Sequence, residues 1–377
     1  MRERANAPTE TLDALVVGAG PAGIGTGLAL HAVDGLLFGV VERGVVGDTF
    51  RRWPEHQRFL TPSFTGNGFG ATDLNAVHPR TSPAYSLGTD YPSGPEYARY
   101  LRGVVAAFHL PTLLDTEVER IEPDDDGFRV TTSRGPVITR NVVWAGGEFS
   151  DPILPRCAGT SLGVHASAEA AWVARPGHVV VVGGFESGID LACHHVEQGA
   201  TVTVVDPSHP WDAGSGSDPS FRLAPRTRQR LAAARASGRL TLVDDGQVTG
   251  IKRSGEGFTV GVAGRTALVT DAPPILATGY GPGLGPAASL FDTRADGWPL
   301  LTEDDESTTT PGLFLAGTAL RHGALQFCFV YKFRQRFAHV ARVIGERAGR
   351  DCGALQEWDD AGMLTDDLSC CGVECAC

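Results

Sequence analysis

Four of the eight cysteines, Cys370, Cys371, Cys375 and Cys377, fall within the last eight residues of a 377-residue chain. Vicinal cysteines close only a strained ring, so the disulfide between them is labile and oxidising, which suits a group that hands electrons to another thiol. Four thiols this close together also suit a soft cation. These four are the candidate catalytic residues; the bland alternative is a terminus whose cysteines do nothing. Taken as freely jointed, residues 351–377 would have an r.m.s. reach of roughly 30 Å, enough to return to a site on the same chain or on a partner subunit, so a homodimer stays open.

Two glycine turns supply a different chemistry. In Gly18-Ala19-Gly20-Pro21-Ala22-Gly23, Gly18 permits the tight turn, Gly20 lets the backbone approach a pyrophosphate, and Gly23 lets a helix pack on its strand. The helix N-terminus offers unpaired N–H groups to phosphate oxygens. Glu42 ends the next apolar run, at the spacing where a carboxylate accepts from ribose hydroxyls. The structural alternative is a strand-to-helix turn with no ligand; the strand, helix and Glu42 in register favour a dinucleotide.

The second turn, Gly183-Gly184-Phe185-Glu186-Ser187-Gly188, repeats the pattern with Phe185 in place of the middle glycine. A phenyl ring there would take up the space of a pyrophosphate if the turn keeps its shape. NAD(P)H as donor is therefore in doubt, a structural relic or another donor being the alternatives. Gly183, Gly184, Ser187, Gly188 and Asp206 are the candidate contacts, and Asp206 would suit an NADH ribose and repel a 2′-phosphate.

These turns need strands and helices to hold them. Leu12–Val17, the first turn, a small-residue helix and Leu36–Val41 read as a βαβ unit, and Val179–Val182 through Val205 as another. Pro-bearing segments after Trp144-Ala145-Gly146-Gly147 and the Ala277-Thr278-Gly279 stretch mark crossovers. The expected fold is α/β, with two Rossmann-like nucleotide-binding domains of the three-layer ββα type, the second inserted in the first. The expected boundaries are 1–152 and 276–350 for the first domain, 153–275 for the second, and 351–377 for an appended segment that loses apolar periodicity. Alternating residues predict antiparallel strands at Phe128–Thr132 and Phe258–Val262.

A formal net charge of −12 argues against nucleic acid and against an anionic membrane surface as partners. The polar first eleven residues and the lack of a long apolar run predict a cytoplasmic protein outside the membrane. No metal-ligand set is expected: Cys193-His194-His195 stand on adjacent helix positions that point in different directions, and read as core plus surface.

After the first turn come Gly47-Asp48-Thr49-Phe50, Trp53-Pro54 and Leu60-Thr61-Pro62-Ser63, then Pro92-Ser93-Gly94 and, further on, His165-Ala166-Ser167. This ordered set resembles the flavin-containing monooxygenases and Baeyer–Villiger enzymes, and the layout is similar to that of thioredoxin-reductase-like disulfide reductases. The resemblance implies FAD, held by Gly18, Gly20, Pro21, Ala22, Gly23, Glu42, Arg43, Thr49, Trp53, His56, Gly146, Gly317, Thr318 and Gln326. Gly312 to Thr318 resembles the strand that reaches the FAD ribitol, with Thr318 where an Asp is usual. Gln326 matches the glutamine that opens the helix beneath the flavin in thioredoxin reductases, where the helix dipole favours a negative reduced flavin. Leu368-Ser369-Cys370-Cys371-Gly372 resembles the terminal pair of mercuric reductases.

The body holds no Cys-x-x-Cys, and Ala22 stands where bacilliredoxin reductases carry a cysteine. His56, Arg321 and His322 fall in segments expected near the flavin, could donate protons or bind an anionic substrate, and form a second tier of candidates, each more often a structural residue; Cys328, two residues past Gln326, could also come near the flavin, but a lone cysteine on an apolar helix is more often core filling. The expectation is an FAD enzyme that passes electrons between NAD(P)H, or a substitute donor, and a small-molecule disulfide, thiol or soft-metal substrate. A monooxygenase acting on a soft S or N centre, and a flavin- or metal-binding protein without turnover, are the rivals.

Overall fold

The computed structural model describes residues 11–66, 69–212 and 218–368. Two compact units emerge, one built from the residues up to Arg52, Thr61–Ser150 and those from Pro282 onward, the other from Trp53–Leu60 and Asp151–Gly281.

In the first unit Leu12–Val17 is a buried parallel strand between Phe38–Val41 and Gly135–Trp144, in the registers Val17↔Val41 and Val17↔Trp144. Leu313–Leu315 adds in parallel to Gly135–Trp144, with Leu315 opposite Trp144, and Thr112–Leu113 extends the other side. The Gly127–Thr132 and Val118–Asp124 strands continue antiparallel from Gly135–Trp144. The helix Pro21–His31 is apolar nearly all round, as suits an element covered on every side. A β-carbon at Gly25 would overlap the Phe337 ring, so the Phe337–Arg347 helix packs close against it. The Gly94–Ala107 helix starts from a capping box, the Ser93 hydroxyl and Glu96 carboxylate each serving the other's backbone N–H.

The second unit shows period-two patterning directly. Its parallel strands run in the order Leu240–Val243, Thr201–Val205, His178–Val182, Ile275–Leu276 and Val164–His165. Val179, Val181, Val202 and Val204 face one core, shared with Ile189 and Leu231 of the helices Glu186–Glu197 and Pro225–Ala236. Val180, Val182 and Val205 face another, shared with Ile251, Val260 and Val262 of an antiparallel three-stranded sheet. Helices, parallel sheet and antiparallel sheet make the three layers expected of the ββα type.

Two expectations need correction here. Residues 351–368 are not an appendage: Leu355, Trp358 and Met363 are buried, Thr72 Oγ1 donates to the Ala361 carbonyl, and Arg80 pairs with Glu357. Isolated apolar residues at irregular spacing carry no period, yet each finds a hole in the first unit. Second, His194 and His195 are both buried, each bonding through Nε2 to a carbonyl, of Trp172 and Ala171 respectively, at 2.8 Å. The short Glu169–Trp172 helix covers a helix face that had been read as surface.

Candidate active site

The first turn begins where Gly18, at φ 107°, donates its N–H to the Val41 carbonyl. A β-carbon at Gly18 would stand 2.5 Å from the Ala145 oxygen, and one at Gly23 would overlap the Gly18 carbonyl. Both glycines are therefore fixed by close packing. Gly20 differs: at φ −81° and ψ −174° any residue could adopt its backbone, and a β-carbon there would meet nothing within 4 Å. The open space lies where the helix presents its first turn, Pro21 opening it and no side chain capping it.

Glu42 braces this turn, Oε2 accepting from the Ala19 N–H at 2.8 Å and Oε1 from the Gly44 N–H at 2.9 Å. Gly47 donates to the Ala19 carbonyl and leads into the one-turn helix Asp48–Arg51 that carries Thr49, while Arg43 is exposed. The neighbouring strand ends supply the rest. Gly146 lies against the Trp144 indole, and Gly317, at φ 106°, sits beside Ala22. These positions line the carboxyl ends of parallel strands, where nucleotides bind in such sheets.

Beyond them Glu148 meets Thr318 through a side-chain hydrogen bond, and burial pushes its carboxyl up from the usual range. Arg321 is buried, donates to the Thr318 and Leu320 carbonyls at 2.7 Å each, and stacks 3.9 Å over Trp298. His322, its neighbour on a two-residue strand, points the other way and holds Asp305 Oδ1 at 2.6 Å, with Arg336 Nε on the other oxygen. Glu148 and Trp298 escaped sequence reasoning. Their only signal was position, four residues past the end of one strand and in a loop without a motif.

One expected placement is not met. Gln326 does not open a helix; it pairs with Arg321 in a tight hairpin turned by Gly323, and the helix starts four residues later at Val330. Trp53 and His56 group with the second unit, Trp53 against Phe59 and His56 against His194 with ring centres 4.7 Å apart. Cys370, Cys371, Cys375 and Cys377 lie outside the described residues.

In the second unit Gly183 and Gly188 repeat the packing of Gly18 and Gly23, and Asp206 Oδ2 accepts from the Gly184 N–H at 2.7 Å. The other Asp206 oxygen takes the Ser208 N–H and hydroxyl. A β-carbon at Gly184 would overlap the Trp211 ring, and the half-buried Phe185 packs against the helix-side core. Glu186, in the first turn of the helix, is buried with its carboxyl taken by the Ala224 N–H and the Thr227 hydroxyl, while Ser187 is exposed.

Residues 15–317 match the pyridine nucleotide-disulphide oxidoreductase family. The chain belongs to it. As a member it is an FAD-dependent oxidoreductase, and the Gly18–Gly23 turn, open at Gly20 and braced by Glu42, fits that cofactor. An oxidoreductase of Geobacillus kaustophilus described as CzcO-like is 30% identical over 190 residues, 48% of this chain and 50% of that protein, so the chain spans about half of that relative's length. A ferredoxin–NADP reductase of Gluconacetobacter diazotrophicus is 26% identical over 327 residues, 83% of this chain and 85% of the relative. Among solved structures, the bacillithiol disulfide reductase Bdr (YpdA) from Staphylococcus aureus superposes with a TM-score of 0.73 at 20% identity, covering 90% of this chain and 99% of that one. Among the described residues no helix is long and apolar enough to cross a membrane, and no group of three or more His, Cys, Asp or Glu is arranged to hold a metal.

Proposed function

We propose that this enzyme carries electrons from a reduced nicotinamide, or a substitute donor, to a small-molecule disulfide, thiol or soft-metal couple by way of Cys370, Cys371, Cys375 and Cys377. The observation that supports it most is the fastening of the segment that precedes them. Thr365 donates two hydrogen bonds to Gln335, from its N–H to the carbonyl and from its hydroxyl to the side-chain oxygen, the Thr365 carbonyl accepts from Arg336 at 2.6 Å, and Asp366 pairs with Arg342 at 3.0 Å. The four cysteines thus follow directly on a strap tied to the unit that carries the FAD turn.

Three described thiols are poor substitutes. Burial pushes Cys193 up to about 12, and raises Cys157 and Cys352. Thiolate is the reacting form, so these are slow at neutral pH. FAD, when bound, supplies the two-electron chemistry. The chain's own part is to seat the pyrophosphate on the Gly18–Gly23 turn, hold that turn through Glu42, and place the Glu148 carboxyl and the Arg321 guanidinium beyond the strand ends.

A chain ending at Asp367 tests this. It should keep FAD and its reduction by the donor while losing at least about 90% of its turnover with glutathione disulfide; Cys370→Ser and Cys371→Ser should each approach that loss, because a vicinal pair acts as a unit. Undiminished disulfide turnover overturns the relay. Substrate-dependent oxygen uptake in its place would move the function to oxygen transfer, which the sequence resemblance to flavin-containing monooxygenases supports.

A further inference from the structure

Arg321 is a guanidinium only 8% exposed, and its hydrogen bonds leave one edge open. Nη1 alone is spent, on the Thr318 and Leu320 carbonyls at 2.7 Å each. Among the described residues Nε and Nη2 donate to nothing, and no carboxylate lies within ion-pair distance of them. Both keep contact with solvent, so the exposure that Arg321 retains includes this edge. The plane of the group is fixed from below by the half-buried Trp298, whose ring centre is 3.9 Å from the guanidinium carbon. Trp298 is itself held on a tight hairpin, residues 293–299, in which the Arg294 N–H donates to the Trp298 carbonyl at 2.8 Å. Arg294 Nη2 then ties this hairpin to that of Arg321 through the Gly323 carbonyl at 2.7 Å. The acidic groups nearby are engaged elsewhere: Asp296 with Arg294 at 3.0 Å, Asp305 with His322 and Arg336, and Glu148 with the Thr318 hydroxyl. A buried charge without a counter-charge is costly, and an anion at the open edge offsets the cost. The edge formed by Nε and Nη2 is the one that takes a carboxylate through two parallel hydrogen bonds. With Arg294 spent on Asp296, a single positive charge faces the opening, which matches a carboxylate and not a phosphate dianion.

We propose that Arg321, clamped on Trp298, is the site for a carboxylate of the small-molecule substrate, which seats on Nε and Nη2. This rests on the disulfide-reductase function above and narrows its substrate class to disulfides and thiols that carry a carboxylate. The clamp does the work of preorganisation, because two carbonyls and one ring hold the guanidinium in place before the substrate arrives, and little side-chain freedom is lost on binding.

The test uses the full-length, FAD-loaded protein and reads binding and turnover separately. Binding is measured by calorimetry with suberate, the all-carbon analogue of 3,3′-dithiodipropionate, and with its neutral counterpart suberamide. Suberate should bind at least about tenfold more tightly than suberamide, and Arg321→Gln should remove that preference. Arg321→Lys, which keeps the charge and loses the fork, should restore only part of it, and Trp298→Leu should weaken suberate by roughly threefold to tenfold. In turnover, kcat/KM for 3,3′-dithiodipropionate should exceed that for bis(2-hydroxyethyl) disulfide by at least about tenfold, and in Arg321→Gln the ratio should fall toward parity, chiefly through KM. Equal binding of suberate and suberamide by the unaltered protein overturns the inference, and that comparison needs no variant to fold. Unchanged suberate affinity in Arg321→Gln overturns it too, and if that variant sheds FAD at the same time, the anion that Arg321 serves is the flavin's. If both disulfides are turned over equally, the inference fails and the proposed function stands. If suberate binds as expected but no disulfide is turned over, the proposed function fails and the carboxylate site remains.

Discussion

The two glycine turns share a backbone and differ in what stands over it. Gly20 sits at φ −81° and ψ −174°, and Phe185 at φ −90° and ψ −158°. Gly18 and Gly183 each donate to the carbonyl ending the next strand, and an acidic side chain, Glu42 or Asp206, accepts from the residue that follows each. At the first turn the space over the middle position is open; at the second, Phe185 and Trp211 fill the surroundings, and Glu186 puts a buried carboxyl in the first helical turn. The turn's shape therefore belongs to strand–helix packing. Its openness is a separate property, and at Gly20 the backbone has the clear approach that a pyrophosphate needs.

Exchanging the side chain at the middle position breaks the comparison most severely. Gly20→Phe should leave the fold intact, since the backbone is ordinary there, and should weaken FAD binding about 1000-fold, about 4 kcal/mol. Flavin absorbance after gel filtration, beside an unchanged far-ultraviolet circular dichroism spectrum, checks it. Full FAD occupancy would mean that openness at Gly20 does not matter.

Buried histidines give the next largest effect, one in each unit. Burial brings His195 down to about 4 and His78 down to about 4, from a usual value near 6.5. The unfolded chain thus binds these protons more readily, so their stability contribution is complete above pH 6.5 and is lost as pH falls toward 4. Each accounts for about 3 kcal/mol over that window. His195→Gln, which keeps an N–H for the Ala171 carbonyl, should make the second unit less acid-sensitive and leave the first unchanged. Urea midpoints followed by hydrogen exchange in each unit between pH 6.5 and pH 4 report it, and an unchanged slope in the second unit would discard the assignment.

Phe185→Gly reverses the first exchange. Reduction of the flavin by NADH should speed up about tenfold, worth about 1.4 kcal/mol, and become more readily saturable. Stopped-flow kinetics decide, and equal rates in variant and wild type would show that the packed phenyl ring leaves the nucleotide its room. The smallest expected effect separates bracing from binding. Glu42→Gln and Asp206→Asn should each cost about 1 kcal/mol in thermal stability, from one weakened turn contact, but only Glu42→Gln should also release FAD on dilution.

Much of this architecture was legible because it obeys a period or a fixed spacing. The paired βαβ units, the antiparallel strands at Phe128–Thr132 and Phe258–Val262, and the carboxylates at Glu42 and Asp206 follow from alternation and from the distance between one strand end and the next. What escaped lacks periodicity. Gln326 was assigned to a helix start by analogy, but Gly323 turns the chain two residues after Arg321 and spends Gln326 on strand pairing. Glu148 and Trp298 acquire significance only through Arg321, a neighbour that no linear spacing brings to them. The strap behaves likewise, since Trp358 and Met363 look isolated until the surface they fill is known.

Arg336 gives that strap a kinetic character. This one buried guanidinium bonds the Asp305 carboxylate, the Glu303 carbonyl and the Thr365 carbonyl, so three segments distant in sequence share a single fastening. Lifting the strap would leave a buried charge with lost partners, a penalty that the Glu303–Asp305 loop and its His322 contact must bear at the same moment. The strap, the loop and the His322 hairpin should therefore open as one cooperative unit, and their protected amides should exchange with deuterium at a common opening free energy. Access to the segment that carries the last cysteines would then be governed from Arg336, by an all-or-none local transition.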